Sequence, residues 1–382
     1  MIYVHIPFCR SFCTYCDFYS EVAAGCCKAE ESLLFEEFGR AVAAEAAARR
    51  EDMTDDVNTL YIGGGTPSVL PLSVFRTLLD ALAEVGHGGP YDEFTVEVNP
   101  DDIVGKGHSY VEGLLELGVD RISMGVQSFD DGILRWMNRR HDSETARRAY
   151  AILEDAGFRN ISIDLIFGLP QLSETGWRDT LSKALDISSR GVLPAHISSY
   201  QLSVEPGSAL AGLVESGRWS EASEELCAEQ YSVLCEVLAA AGYSHYEISN
   251  FALHGSEARH NSAYWSHVPY VGLGPGAHSF CKGRRQWNKP DMKAYLKAAR
   301  EADFRTVQES ETLTQEQLSM ERIMLALRTS SGINRSHLEA GCDSNALARA
   351  FSEGNLTITP DGNVRIPEDR FFISDSIISD II

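Results

Sequence analysis

Apolar runs of strand length alternate with amphipathic helical stretches from the first residues of the chain. Ile2–Phe8, Thr59–Ile62, Phe94–Val98, Arg121–Val126, Ile161–Phe167 and His196–Leu202 read as six strands. Leu33–Arg50, Leu72–Val85, Tyr110–Leu117, Ser143–Ala156 and Thr175–Ser188 carry the helical spacing between them, with Gly or Asn marking several of the transitions. Repeated strand–helix units of this kind predict a parallel sheet, and an open or closed α/β barrel is the expected architecture. Polar and glycine residues gather just past the strand ends in GGGTP, EVNP, GVQSF and DLIFGLP, where parallel α/β folds place ligands. A long helix over 221–241 leads into an irregular stretch rich in aromatic residues and histidine, Tyr243–Trp287, and then a helical tail. A chain of 382 residues predicts a large domain and a smaller one, with a soft boundary near 290–310.

Composition removes some classes of function. The hydrophobic share of 44% and charged share of 23% are those of an ordinary globular protein. A formal charge of -22 repels phosphate backbones, so nucleic acid is not an expected partner. No long uncharged apolar stretch occurs and the chain opens on a strand, which predicts a cytoplasmic protein.

Three of the nine cysteines lie within eight residues, which suits reduced thiols around a metal better than disulfides. Cys9, Cys13 and Cys16 end the first strand with C-x3-C-x2-C spacing. Thiolates select zinc or an iron–sulfur cluster. Structural zinc wants four ligands, and no second C-x-x-C occurs, so zinc is the minority reading. A [4Fe–4S] cluster with three cysteine ligands leaves one iron open to the amino and carboxylate groups of a ligand. Cys26, Cys27, Cys227, Cys235, Cys281 and Cys342 read as packing residues. After the second strand, Gly63-Gly64-Gly65-Thr66-Pro67 would let backbone approach a ligand closely or simply make a tight turn. Glu97, Asn99, Gln127, Arg139 and Asp164 each lie at or just beyond a strand end, where a polar side chain faces a barrel mouth; singly, each could equally cap a helix or sit in solvent.

With Tyr15 before the last cysteine, this spacing resembles that of the radical S-adenosylmethionine (SAM) superfamily. The likeness extends along the chain through YVHIPFCRSFCTYCDF, GGGTPS, EVNPDD, RISMGVQSF, MNRRHD, IDLIFGLP, HYEISNFA, HNSAYW and GLGPGAHSF, which resemble the HemN/HemW family. The resemblance implies a partial (β/α)6 barrel of the TIM-like, radical SAM type over 1–220, an extension over 221–300, and a smaller helical, winged-helix-like domain over 301–382. It implies a [4Fe–4S] cluster on Cys9, Cys13 and Cys16, and reductive cleavage of SAM to methionine and a 5′-deoxyadenosyl radical. Carried over residue by residue, Tyr3, Gly64, Gly65, Thr66, Glu97, Gln127, Arg139 and Asp164 match SAM contacts, with Gln201 a further candidate, and Arg139 would fork onto the SAM carboxylate.

Two features separate the chain from the dehydrogenase side of that family, which oxidatively decarboxylates coproporphyrinogen III. Its pattern has another cysteine where this chain has Phe18, and it carries an amino-terminal extension ahead of the barrel. His260 to Trp265 instead resembles the H-N-x-x-Y-W element of the heme-chaperone side, which implies heme, an iron porphyrin, as ligand of His260 with Tyr264 and Trp265 packing on the macrocycle. Without the resemblance, His260 reads as a hydrogen-bonded core or surface histidine. His245, His254, His267 and His278 are candidates for a second axial ligand, with no choice among them. The expected function is heme delivery to acceptor hemoproteins, membrane-bound respiratory enzymes among them, with homodimer formation also in the expectation. The rivals are the dehydrogenase reaction or radical chemistry on another substrate. The tail is expected to cover the barrel mouth or dock a partner.

Overall fold

The computed structural model describes residues 1–22, 28–54 and 56–382, so Cys26 and Cys27 lie outside the described residues. Its main sheet has nine strands: β1 (Ile2–Ile6), β2 (Thr59–Gly64), β3 (Glu93–Val98), β4 (Arg121–Gln127), β5 (Asn160–Phe167), β6 (His196–Gln201), β7 (Ser244–Glu247), β8 (Asn250–Ala252) and β9 (Val271–Leu273). Their order in space is β9-β1-β2-β3-β4-β5-β6-β8-β7. Strands β1 to β6 run parallel in sequence order, and β9 joins β1 in the same direction. Strands β8 and β7 turn the far edge antiparallel. The six expected strands and their linking helices are therefore present, forming an open α/β barrel.

Side chains alternate along these strands in a consistent sense. Ile2, Val4 and Ile6, Leu60 and Ile62, Phe94 and Val96, Ile122 and Met124, and Ile161 and Ile163 are buried in the core. They meet helices α1 (Lys28–Ala48), α2 (Leu72–Glu84) and α6 (Ser143–Ala156), with α3 (Pro100–Lys106), α4 (His108–Glu116) and α5 (Asp131–Trp136) between the last two in sequence. The intervening positions turn inward and are mostly polar: Tyr3, His5, Thr59, Tyr61, Glu93, Thr95, Glu97, Arg121, Ser123, Asp164 and His196. A parallel sheet covered on both faces reads as continuous apolar runs, so this alternation marks an inner face reserved for polar contacts. Among the helices, α6 is capped by Asp142, which accepts from the Thr145 backbone N–H, and stopped by Gly157.

The stretch expected to be irregular is ordered. It supplies β7, β8 and β9, and Arg259–Trp265 forms a helix, designated α10, after α7 (Glu174–Leu185), α8 (Ala209–Glu215) and α9 (Glu224–Ala240). A second antiparallel sheet joins β10 (His278–Cys281), β11 (Arg284–Asn288) and β12 (Gln308–Thr312), and so spans residues 290–310. Beyond residue 313 the tail contains four helices, Gln315–Ala326, Arg335–Gly341, Ser344–Ser352 and Ser374–Ile381, and three short antiparallel strands. It does not cover the barrel mouth. It docks on the β7 edge, where Glu247 bridges Thr329, and Phe371 and Phe372 pack on His245 and Tyr231. Among the described residues, no helix is long and apolar enough to cross a membrane.

Candidate functional site

A cavity of about 540 Å³ opens at the carboxyl ends of β1 to β6, and its wall is built entirely from residues 9 to 205. Cys9, Cys13 and Cys16 line one side, and all three are free thiols. Burial raises the Cys9 thiol and pushes Cys16 up to about 12, so bare thiols here favour the protonated form until a metal takes the proton's place. Among the described residues, no three His, Cys, Asp or Glu side chains converge on a single ion. An iron–sulfur cube places its cysteines on separate irons and needs thiols spread around a cavity wall, as these are.

The glycine run passes directly beneath the cysteine loop. The Gly65 N–H donates to the Ile6 carbonyl at 2.7 Å, and a Cβ on Gly65 would lie 2.7 Å from the Phe8 carbonyl oxygen and 3.1 Å from Cys9 Sγ. Only glycine fits there. Thr66 Oγ1 sits 3.5 Å from Cys9 Sγ and accepts from Asn99 Nδ2 at 3.2 Å. Glu97 takes the Tyr61 hydroxyl at 2.7 Å and the Gly64 N–H at 3.0 Å. Burial lifts Glu97 to about 7 and Asp164 to about 6, against the opposing effect of their hydrogen bonds. Ser123 donates to both Asp164 oxygens, at 3.2 and 3.1 Å. Gln127 ends β4 at a register shift with φ of 68°, a left-handed conformation that a glutamine adopts at a cost and that turns its amide into the cavity.

Arg139 lies in the cavity wall. One terminal nitrogen donates to Cys13 Sγ at 3.3 Å, the other to the Gly125 carbonyl at 2.6 Å and to Asn99, and the buried Nε has no partner. Its charge thus faces the cysteine loop. Gln201 lines the cavity, and Phe18 stands at its wall 65% exposed.

Tyr3, expected at SAM, and His260, expected at heme, both lie outside the lining of this cavity. Tyr3 stands one ring back, its hydroxyl 3.0 Å from His5 Nδ1 and its ring packed on Tyr61. His260 lies fully buried under the barrel floor. Its Nδ1 is 2.9 Å from Thr59 Oγ1 and its Nε2 is 3.2 Å from the Tyr264 hydroxyl. Burial pushes its pKa down to about 3, so the imidazole is neutral. Tyr264 is spent on His260 and on Tyr270, whose ring centroid is 4.6 Å away. Both ring nitrogens of His260 are thus engaged within the protein in this conformation, and the imidazole has no exposed surface. Of the other histidines, His245 is buried between Phe251 and Phe371, and His267 meets Glu321 at 3.3 Å. His254 and His278 are exposed, the latter stacked on Trp287.

Sequence reasoning passed over Tyr61, Ser123 and Arg121, which complete the inner face. Arg121 is 1% exposed with its Nε unpartnered, and its charge lowers the pKa of both Glu97 and Asp164. Their signal was the alternation of polar with apolar residues inside parallel strands.

The model of the radical SAM superfamily matches residues 3–184. The chain is similar to "Heme chaperone HemW" of Bacillus subtilis, at 34% identity over 87% of this chain and 84% of that one. It is also similar to the protein of the same name from Lactococcus lactis, at 35% identity over 87% and 82%. Among solved structures, the coproporphyrinogen III oxidase HemN of Escherichia coli superposes with a TM-score of 0.82, covering 99% of this chain and 89% of that one at 20% identity, which establishes a shared fold.

Proposed function

Because the chain belongs to the HemW family of radical SAM proteins, we propose that it is a heme chaperone, a cytoplasmic protein that binds heme and passes it to acceptor hemoproteins. The observation that carries this reading is the match along 87% of the chain to relatives of that name. Phe18, standing where the dehydrogenase pattern has a further cysteine, adds to it.

Membership implies a [4Fe–4S] cluster and SAM, and the residues present fit both. Cys9, Cys13 and Cys16 would hold the cluster: they are free, share one cavity wall and have the Arg139 charge beside Cys13. Gly64, Gly65 and Thr66 form the cradle that a Cβ would fill, while Glu97, Gln127 and Asp164 offer acceptors for an ammonium and hydroxyls. Electron transfer from the cluster into the SAM sulfonium is the chemistry this pair supplies when bound. The chain's own residues bind, orient and shield. Tyr61 and Gly64 hold the Glu97 carboxylate toward the cavity, Ser123 fixes Asp164, and Arg139 steadies the cysteine loop through Cys13.

The test is an anaerobic heme titration of cluster-reconstituted protein, followed by mixing the loaded protein with an apo-hemoprotein. Saturable binding and transfer of the Soret band to the acceptor are expected. Absence of saturable binding removes the chaperone reading, and formation of protoporphyrinogen from coproporphyrinogen III with SAM and reductant would replace it with the dehydrogenase.

A further inference from the structure

The amide of Asn99 joins the two side chains that touch the cysteine loop. Asn99 stands at the N-cap of α3, where an asparagine ordinarily turns back to accept from the first N–H groups of its helix. It makes no such bond. Its backbone N–H donates to Ser68 Oγ at 3.0 Å, Ser68 donates to Asp102 at 2.8 Å, and Arg140 pairs with Asp102 at 3.0 Å, so the turn is pinned with the amide in the cavity wall. A guanidinium only donates, so the Arg139 contact marks Asn99 Oδ1 as the acceptor and leaves Nδ2 to donate to Thr66 Oγ1 at 3.2 Å. Each partner then reaches a different sulfur. Thr66 Oγ1 is 3.5 Å from Cys9 Sγ, and Arg139 Nη1 donates to Cys13 Sγ at 3.3 Å. Asn99 and the Gly125 carbonyl take both hydrogens of Arg139 Nη2, which fixes the plane of the guanidinium.

We propose that Asn99 is a positioning residue that sets the reduction potential of the cluster, by turning the Thr66 hydroxyl proton to the Cys9 thiolate and the Arg139 guanidinium to the Cys13 thiolate. This rests on the cluster of the proposed function and leaves Thr66 and Arg139 their expected places at SAM. A threonine hydroxyl has one proton, and because Thr66 Oγ1 already accepts from Asn99, that proton is free for a sulfur. Hydrogen bonds and positive charge at a cysteine sulfur stabilise the negative charge that reduction adds, and so raise the potential. An aspartate at this position would keep the shape and the Arg139 contact, but it would present a second acceptor where Nδ2 stands. Thr66 would then donate to the new carboxylate and be lost to Cys9.

The experiment uses full-length, anaerobically reconstituted protein at matched iron content. Samples without SAM are poised at a series of potentials, and the reduced cluster is counted by electron paramagnetic resonance. Asn99→Asp is expected to disfavour reduction about tenfold, the scale of one hydrogen bond to a charged group, which places the midpoint about 59 mV more negative for one electron. Asn99→Ala, neutral and without either bond, should shift the midpoint the same way and serves if the aspartate variant does not fold. Thr66→Val removes the donor itself, so Asn99→Asp should shift the potential less in that protein than in wild type. A wild-type potential in a folded Asn99 variant overturns the proposal, even where the melting temperature falls, because Asn99 would then only support the turn. An aspartate shift that persists undiminished in the Thr66→Val protein also overturns it, since added charge alone would account for the change. A wild-type protein that takes up no cluster would remove this inference together with the cluster of the proposed function.

Discussion

At the scale of single residues, the site trades stability for readiness. Glu97 is lifted to about 7 by burial, above its ordinary 4.5. Between those values the folded protein keeps a proton that the unfolded chain gives up, so this group's contribution to stability is lost as pH rises through that window. Glu97→Gln removes the dependence. Melting curves of the two empty proteins from pH 5 to 8 should converge at the acid end and separate at the neutral end with the variant higher, the gap widening by at most about 1.4 kcal/mol for each step of one in pH across that window. The same variant should lose SAM binding, while wild-type affinity for the cationic ligand should climb as pH passes about 7 and Glu97 ionises. Equal slopes for both proteins would rule out the buried carboxylate as the source. Gly65→Ala makes a different point, because the atoms its Cβ would meet include two backbone carbonyls that cannot rotate aside. Roughly 1–3 kcal/mol of overpacking is expected, together with poor cluster incorporation, read as iron content after reconstitution.

At the scale of elements, the seat of α10 hangs on Glu93, which accepts from the backbone N–H groups of Arg259 and His260. Glu93→Ala leaves both donors unmet and should lower stability by about 1–2 kcal/mol, seen as a lower urea midpoint with an unchanged slope; an unchanged midpoint would mean that α10 is held chiefly by its aromatic contacts. This same region limits what could be read from the sequence. Strands β1 to β6 and their helices span one or more full periods and were legible from apolar spacing, as were the cysteine triplet and the glycine run from their positions after strands. Strands β7, β8 and β9 have three or four residues and α10 has seven, too few for a period to emerge from a stretch dense in histidine and aromatic residues. The heme role of His260 therefore rested on the resemblance of HNSAYW alone, and its burial within a helix could not be read from the spacing. Tyr61 and Arg121 escaped for the opposite reason. They sit inside well-predicted strands, and only the barrel tells which face is inner.

At the scale of the whole molecule, the core is continuous from Ile2 to Ile381, so the tail is part of the packing of the barrel and its extension. The contact is made at the open edge of the main sheet. Backbone bonds run from the Ile248 N–H to the Arg328 carbonyl and from the Ser330 N–H to the Tyr246 carbonyl, and Phe371 closes on His245. An exposed sheet edge flanked by aromatic side chains is a template for association with other chains. A chain ending at Leu313 would uncover β7, Tyr231 and His245 while leaving every residue of the cavity wall in place. It should accumulate mainly as aggregate, and its soluble fraction should bind an apolar dye strongly, whereas the cavity residues alone would predict a fully functional fragment. A monomeric, dye-silent truncation that still takes up cluster and SAM would show that the tail contributes no cover to the barrel edge, and its purpose would then have to be sought in the acceptor.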